Sequence, residues 1–381
     1  MIALALFGSG LLIVSYVYVG YPLLLTVVAR GRGRQSGQAA WPRVTLIFCA
    51  HNEESVLADK IHNCAELDYP HDLLEFCVAS DASTDGTNAL LEAWAKEDPR
   101  VGLTLSGERT GKTALLNRIV PQAGGDIVLF SDASTLFTPG AVRSHAAHYA
   151  DPAVGCVGGD LDFVNTAQSP VSGGHGIYWR YERHLRRCES SLGVLAYVAG
   201  ANYSMRRALW RTVEPHFADD CNSPLNVIEQ GYRVVYEPRA VAREVAAESS
   251  EGLMRRRVRM VTRDLDATLR RPTLLNPFRH PGVAWSLWSH KILRWLGAPI
   301  LVVVLVANLF LLDRVFFQVL LVAQLAVYAA AIAGYLVQGK VRSRWLTLPL
   351  YFGLSNLATL MGLVNLLRRR RAAIWQPGGT R

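Results

Sequence analysis

The stretch Glu75–Thr87 constrains the fold more than any other part of the sequence. It begins as a short apolar run and ends in carboxylates, hydroxyls and a glycine. A run of about four to eight apolar residues is typical of a strand that is covered on both faces. Because ligands of open α/β sheets gather at the carboxyl ends of such strands, the pattern predicts that Asp81 lies at a ligand-binding edge. The alternative is a simple turn in which Thr84 or Asp85 caps the following helix.

The same arrangement occurs twice more in the chain. Two further apolar runs stop at polar segments: Val44–Ala50 before His51-Asn52-Glu53-Glu54, and Asp126–Phe130 before Ser131-Asp132-Ala133-Ser134. Between them, Gly111–Asn117 places Lys112 at the start of a helical pattern, where backbone N–H groups and the helix dipole favour an anion. Three acidic strand ends and a lysine suit the binding of a nucleoside diphosphate.

The chain is too apolar for an ordinary soluble enzyme, with 50% hydrophobic residues and a positive mean hydropathy. Residues 3–29 form a nearly continuous apolar stretch, long enough to cross about 30 Å of hydrocarbon. Arg30, Arg32 and Arg34 follow at once. We interpret this stretch as an uncleaved anchor whose N-terminus faces outward, which makes the following domain cytosolic.

The rest of the sequence divides by composition. Apolar strands alternate with helical patterns in an α/β domain, which predicts a mainly parallel sheet with helices on its faces. The expected helices of this domain are Ser55–Glu66, Asn88–Glu97, Thr113–Ile119, Pro139–Tyr149 and Ile177–Leu192. The expected regions are an anchor at 1–30, a linker at 31–42, a catalytic domain at 43–270, an amphipathic helix at 282–296, membrane spans within 297–367 and a basic tail at 368–381.

The helix at 282–296 carries two different stripes. Trp285, Trp288, Ile292 and Trp295 form an apolar stripe, and Ser286, His290 and Arg294 form a polar one. Tryptophans beside basic residues favour a position at the membrane surface, and the alternative is an amphipathic helix packed on the domain. Apolar segments follow at 297–312, 315–337 and 345–367. If all three cross the membrane, Arg368–Arg371 lie outside, against the positive-inside rule. We therefore expect a cytosolic tail and one segment that is re-entrant or interfacial, either the short 297–312 or 345–367, which contains Pro349.

The net charge of +9 does not indicate nucleic-acid binding. The arginines cluster beside the membrane spans and in the segment 255–271, where anionic lipid head groups and sugar diphosphates explain them. A dinucleotide-dependent oxidoreductase is disfavoured because no Gly-x-Gly-x-x-Gly follows the first strand.

The motifs together resemble a known family. They are Ala50-His51-Asn52-Glu53, Ser80–Thr87, Gly111-Lys112 with Asn117, Ser131–Ser134, Gly200-Ala201 before Arg206-Arg207, and Ala218-Asp219-Asp220 before Gln230–Arg233. In this order, over residues 43–267, the chain resembles the membrane-bound family 2 glycosyltransferases of the GT-A fold. That family includes bacterial cellulose, hyaluronan and poly-N-acetylglucosamine synthases. The resemblance implies a bacterial inner-membrane enzyme that acts on a nucleotide sugar.

The resemblance also implies roles for the acidic strand ends. Ala50, Glu53 and Asp81 would line a uridine pocket, where a carboxylate accepts hydrogen bonds from the base or ribose. Lys112 would contact the diphosphate, and Asp132 would bind both the nucleotide and Mg²⁺ or Mn²⁺. The chain departs from the usual Asp-x-Asp pattern here, because the second acidic position is Ser134. A metal is still expected, since a departing diphosphate needs charge compensation.

The pair Asp219-Asp220 is the expected catalytic centre. By the resemblance, Asp220 is the general base that deprotonates the acceptor, and Asp219 orients the site. Without the resemblance, the first turn of a helix is the preferred explanation of two acids at this point, and the resemblance reverses that preference. Gly200 and Ala201 would present backbone to the acceptor sugar, because glycine allows close approach.

Two arginines are expected to contact the diphosphate, Arg256 and Arg259, by analogy with the Gln-x-x-Arg-Trp motif of polymerising relatives. Met260 stands where that motif has its tryptophan, so the flat platform for stacking on a sugar is missing. We therefore expect an inverting enzyme that adds a sugar from a UDP-sugar to a lipid-linked or polysaccharide acceptor, with single transfer favoured. The alternatives are a processive polysaccharide synthase and a membrane subunit that binds nucleotide sugars without turnover.

Overall fold

The computed structural model describes residues 1–32, 41–164, 172–245, 250–337 and 343–368. These residues form two compact units. One, the sheet unit, contains the described residues of 31–164 and 189–245. The other, the helical unit, contains those of 1–30, 165–188 and 246–371. The expected catalytic domain at 43–270 therefore contributes segments to both units.

The sheet unit is built on an eight-stranded sheet of described residues, with the order β3-β2-β1-β4-β7-β6-β8-β5. The strands are β1 Val44–Ala50, β2 Leu74–Asp81, β3 Val101–Ser106, β4 Ile127–Asp132, β5 Leu136–Phe137, β6 Val154–Val164, β7 Asn202–Arg206 and β8 Arg233–Val245. Strands β3, β2, β1 and β4 run parallel, and β7 is antiparallel to both β4 and β6. The prediction of a mainly parallel sheet is confirmed.

The parallel half of the sheet follows directly from the apolar runs. Leu46, Ile47 and Phe48 of β1 are completely buried, as are Val128 and Leu129 of β4. Strands of this kind have both faces covered, because the connecting helices pack on each side. The helices of the sheet unit are Glu54–Ala65, Thr87–Glu97, Lys112–Ile119, Ala141–Ala146 and Asp219–Glu229. Most boundaries lie within one or two residues of the expected ones, and the predicted helix 139–149 ends as a tighter 3₁₀ turn at Ala147–Ala150.

A buried polar network joins the antiparallel strand β7 to its neighbours. Asn202 donates from Nδ2 to the carbonyls of Asp160 (2.7 Å) and Ala240 (2.8 Å). Its Oδ1 lies 2.8 Å from Nε2 of His145, whose Nδ1 lies 3.0 Å from the Ser204 hydroxyl. Buried polar groups are costly unless they are paired, so this network fixes the position of β7.

The helical unit contains the apolar segments. Its helices are Ile2–Ala29, Ser172–Leu192 as far as residue 188, Ser250–Leu269, Pro272–Leu275, Pro281–Trp295, Gly297–Leu309, Val315–Leu336 and Arg344–Leu367. Among the described residues, three helices are long and apolar enough to cross a membrane: Ile2–Ala29, Val315–Leu336 and Trp345–Leu367. The helices Pro281–Trp295 and Gly297–Leu309 together meet the same test, but they are bent by 59° at the break between them. The expected basic tail lies almost entirely outside the described residues, as does most of the expected linker.

The polar stripe of the Pro281–Trp295 helix is buried inside the helical unit. Glu182 is only 2% exposed and accepts a hydrogen bond from Nη1 of Arg294 (2.7 Å). Nε2 of His290 lies 3.1 Å from the same carboxylate. Burial alone would raise the pKa of Glu182, but His290 and Arg294 hold it well below its usual range. In the apolar stripe, Trp288 is exposed, whereas Trp295 is buried.

Candidate active site

The acidic strand ends meet at one edge of the sheet. In the register of β1, Cys49 pairs with Asp132 on one side and Ala50 pairs with Ser80 on the other. The polar segments that follow β1, β2 and β4 therefore start at the same level. This is the carboxyl edge of the parallel strands, where the sequence predicts the ligand.

The loops after β1 and β2 are held together by hydrogen bonds. The Asn52 side chain accepts from the backbone N–H of Thr84 (2.8 Å), and the Asn52 N–H donates to the Ser83 hydroxyl (3.2 Å). Asn52 and Ala82 both have positive φ angles, 53° and 54°, which non-glycine residues rarely adopt. These contacts hold the loops in a fixed, partly strained shape.

The expected uridine-pocket residues lie within this pair of loops. Ala50 is buried at the end of β1, and the backbone N–H of Glu53 donates to Oγ1 of Thr87 (2.9 Å). His51 is buried, and its Nδ1 lies 2.6 Å from the carbonyl oxygen of Asp81. The turn interpretation also holds locally, because Asp85 accepts from the N–H of Thr87 (3.1 Å).

Asp81 organises the loop before Lys112. Its Oδ1 accepts from the N–H of Thr110 (2.7 Å), and its Oδ2 accepts from the N–H of Gly111 (2.9 Å). Gly111 has a φ of +88°, a conformation that favours glycine. The Asp81 carboxylate thus fixes the turn from which the Lys112–Ile119 helix begins.

Lys112 and Asp132 form an ion pair at the sheet edge, with Nζ 2.6 Å from Oδ1. The Asp132 side chain is 41% exposed, so this carboxylate faces solvent on one side. Burial alone would lower the pKa of Lys112, but Asp132 and Asp219 outweigh it and raise the pKa above its usual value. The lysine therefore stays charged, as a phosphate-binding residue requires.

The two acids expected at the catalytic centre open the helix Asp219–Glu229. Asp219 is 6% exposed and accepts a hydrogen bond at Oδ2 from the Tyr203 hydroxyl (2.9 Å). Tyr203 is fully buried and stacks on Phe130, with ring centroids 4.5 Å apart. Asp220 is less buried than Asp219. The first-turn position agrees with the helix N-terminal interpretation and is equally compatible with a general base.

Gly200 lies against the Asp220 carboxylate. A Cβ atom at residue 200 would lie 2.6 Å from Oδ2 of Asp220, closer than side chains approach in practice. Ala201 is buried beside it. The expected acceptor backbone and the expected base are thus brought together.

The Lys112–Ile119 helix also holds the segment that leads to the acids. Asn117 donates to the carbonyl of Val213 (2.6 Å) and accepts from its N–H (2.9 Å). One turn earlier, the Thr113 hydroxyl donates to the carbonyl of Phe217 (3.0 Å). One helix therefore carries the lysine at its first residue and positions the backbone just before Asp219.

Other expected site residues lie in the helical unit. Arg256 and Arg259 are on the Ser250–Leu269 helix, and their contact with a diphosphate stays a prediction. Tyr203 was missed by sequence reasoning, because a tyrosine in a strand is usually only part of the core. Its partner Asp219 is 16 residues away, and no local pattern reveals the contact.

Asp132 fits a divalent cation that is held mainly by a nucleotide. In the part of the chain that the structure describes, no group of three or more His, Cys, Asp or Glu side chains could hold a metal ion. Hard cations bound to phosphates often use only one or two protein carboxylates, and a half-exposed aspartate at the sheet edge meets that need.

Comparison with known proteins agrees with this geometry. Residues 45–213 match the model of the family described as "Glycosyl transferase family 2". A β-monoglucosyldiacylglycerol synthase from Synechocystis sp. is 27% identical over 172 residues, which cover 44% of this chain and 36% of that protein. An N-acetylglucosaminyltransferase from Rhizobium meliloti is 25% identical over 254 residues, covering 62% and 60%. The chain thus spans only about a third to three-fifths of these relatives.

A solved structure shares the fold. It is a mannosyltransferase from Pyrobaculum calidifontis in complex with GDP-mannose and Mn²⁺, with a TM-score of 0.71 and 23% identity, covering 96% of this chain and all of that one. The GT-A fold expected from the sequence is confirmed. The family model ends at residue 213, shortly before the Asp219-Asp220 pair. The family match over residues 45–213 and the glycosyltransferase relatives support a family 2 glycosyltransferase, to which the chain is similar over this region.

Proposed function

We propose that this chain is a membrane-bound inverting glycosyltransferase that adds one sugar from a UDP-sugar to a lipid-linked acceptor. The observation that carries the proposal is the contact between Gly200 and the Asp220 carboxylate. The helix that begins at Lys112 holds the backbone at Phe217, just before Asp219, and Lys112 itself pairs with Asp132. The proposed base and the proposed diphosphate site therefore belong to one connected group of residues. A protein that only binds nucleotide sugars has no need of the base.

In the proposed reaction, Asp220 takes the proton of an acceptor hydroxyl while the hydroxyl oxygen attacks the anomeric carbon. The bond between that carbon and the diphosphate oxygen breaks, and UDP departs from the opposite face, so the anomeric configuration inverts. Lys112 stabilises the negative charge that develops on the diphosphate. Asp219, held by Tyr203, keeps the first turn of its helix in place. Asp132 would hold Mg²⁺ or Mn²⁺, which supplies further charge compensation when bound.

The uridine would lie between the loops after β1 and β2. Ala50 ends β1 there, and the Glu53 carboxylate would accept a hydrogen bond from the base or ribose. Asp81 would shape this pocket mainly by holding the turn at Thr110 and Gly111. Both of its carboxylate oxygens already accept hydrogen bonds from the backbone of that turn. A contact of Arg256 and Arg259 with the diphosphate stays a prediction from the sequence.

A lipid-linked acceptor is supported by two observations. One relative is named as a synthase of a glucosylated diacylglycerol, which is a glycolipid. In addition, Met260 is 46% exposed and offers a flexible thioether instead of an aromatic platform for successive sugars. Processive synthesis is the competing proposal.

The bent helix pair supports a topology that satisfies the positive-inside rule. Gly297–Leu309 has 13 residues, about 20 Å at 1.5 Å per residue, which is too short to cross about 30 Å of hydrocarbon. If it re-enters and does not span, the three remaining spans place both the sheet unit and Arg368 on the cytosolic side of a bacterial inner membrane. The arginines after the first span then obey the positive-inside rule.

The experiment is nucleotide release by the purified protein with a panel of UDP-, GDP- and dTDP-sugars, in the presence of membrane lipid. We expect release with a UDP-sugar, loss of release in excess chelator and recovery with Mn²⁺ or Mg²⁺. With labelled donor, the product should extract with lipid and carry one added sugar.

Three results contradict the proposal in different ways. A high-molecular-weight polymer sensitive to glycosidase supports the processive alternative. Release only with GDP- or dTDP-sugars removes the uridine assignment. Binding of nucleotide sugars without any release supports the non-catalytic alternative.

A further inference from the structure

A lysine is completely buried beneath the Asp132 turn. Lys60, on the Glu54–Ala65 helix, has 0% exposure. Its amine donates to the Ser131 hydroxyl (2.7 Å) and to the Thr135 carbonyl (2.6 Å). It also lies 5.0 Å from the centre of the Phe137 ring. Lysines are almost never fully buried, because removing the ammonium from water is costly. A fully buried lysine that hydrogen-bonds to both sides of one turn therefore calls for an explanation of what it contributes to that turn.

The same helix holds this turn at a second point. Asn63, one helical turn after Lys60, donates to the carbonyl of Phe137 (2.8 Å) and accepts from its N–H (2.8 Å). The turn itself is closed by a hydrogen bond from the Thr135 N–H to the Asp132 carbonyl (3.2 Å). Contacts to the helix thus lie on both sides of Asp132.

We propose that Lys60 and Asn63 form a clamp that positions the Asp132 carboxylate for the metal–diphosphate complex. The inference rests on the proposed function and deepens it. Ser134 stands where a second acid is usual, so the direction of a single carboxylate decides how a cation is held. A residue that fixes such a ligand through its neighbours typically changes metal affinity by roughly tenfold or more when it is removed.

The chain offers variants that separate positioning from packing. Lys60→Met removes the amine and keeps most of the side-chain volume. Ser131→Ala removes one partner of the amine and is the milder change. Leu57→Ala, on the same helix and equally buried, makes a cavity but removes no side-chain hydrogen bond to the turn, and it serves as the matched control.

The affinity for Mn²⁺ is measured by electron paramagnetic resonance with UDP in excess, and amide hydrogen exchange is measured over residues 131–137. We expect Lys60→Met to weaken Mn²⁺ binding roughly tenfold and Ser131→Ala a few-fold. Both should speed exchange in 131–137. Leu57→Ala should lower the melting temperature and leave the Mn²⁺ affinity unchanged.

The clamp is overturned if Lys60→Met and Ser131→Ala behave like Leu57→Ala, with lower melting temperatures but unchanged Mn²⁺ affinity and unchanged local exchange. If the wild-type protein binds no Mn²⁺ with UDP, the metal part of the proposed function fails instead. In that case two measurements test the clamp: hydrogen exchange over residues 131–137 and the affinity for UDP. Should Lys60→Met not fold, Ser131→Ala supplies the same comparison.

Discussion

Asp132 and Asp220 of the sheet unit and Glu182 of the helical unit use their carboxylates in opposite ways. In the sheet unit, Asp132 is 41% exposed at the edge of the sheet and Asp220 is only partly buried at a helix start. In the helical unit, Glu182 is buried between His290 and Arg294 and accepts hydrogen bonds inside the protein. A carboxylate open to solvent can bind a ligand or move a proton. A carboxylate enclosed by basic side chains contributes to assembly, and its removal takes a buried partner away from Arg294.

The largest effect is expected from Asp220→Asn in the sheet unit. Loss of the base should lower turnover by roughly two to four orders of magnitude, with the affinity for the nucleotide sugar and the melting temperature nearly unchanged. Turnover is measured with labelled donor, and affinity by calorimetry. Turnover near the wild-type rate would remove Asp220 from the mechanism and leave the acid pair as a helix N-terminus.

Glu182→Ala, in contrast to Asp220→Asn, should mainly lower the stability of the protein. Removing one partner of a buried ion cluster costs about 3–5 kcal/mol, because His290 and Arg294 lose their compensation. We expect a much lower melting temperature in detergent. The exposed pair of His62 and Glu66 gives the control, since Glu66→Ala should change stability little. A Glu182→Ala protein as stable as the wild type would contradict the structural role.

The third prediction concerns the protonation of a buried histidine, His145, whose surroundings differ from those of His290. His290 faces a carboxylate, whereas the hydrogen-bond partners of His145 are the neutral Asn202 and Ser204. Burial lowers the pKa of His145 to about 4, below its ordinary 6.5. Between these values the unfolded chain binds a proton that the folded one does not, so stability falls as the pH drops below about 6.5. The loss should be about 2 kcal/mol between pH 7 and pH 5.

His145→Gln should remove this part of the pH dependence. Hydrogen exchange of the β7 amides reports the stability of the sheet unit, and the two proteins are compared at both pH values. The nearby pair of His148 and Glu237 is present in both and cancels in the difference. Equal pH dependence in the two proteins would show that His145 is not held neutral.

The sequence predicts the parts of the molecule that follow from local pattern. The apolar runs locate β1, β2 and β4, because strands buried on both faces need continuous apolar residues. Contacts between distant residues were not predictable. Lys60 has the appearance of an ordinary solvated helix residue, yet its amine binds Ser131, 71 positions away. Glu182 and His290 are 108 positions apart, and only the packing of two helices makes them a pair.

The smallest effect is expected from Gly200→Ala, which tests whether the Asp220 carboxylate must be held in a fixed position to act as the base. The added Cβ would lie 2.6 Å from Oδ2 of Asp220, so the carboxylate or the backbone at residue 200 must shift. Misplacing a reacting group by a fraction of an ångström to 1 Å should lower turnover roughly ten- to a hundredfold. The affinity for the donor should stay unchanged, because Lys112 and Asp132 keep their contact. Gly140→Ala is the matched control, since a Cβ there meets nothing within 4 Å. Equal turnover of the two variants would mean that Asp220 is free to reorient, and that its contact with Gly200 does not set the geometry of proton removal.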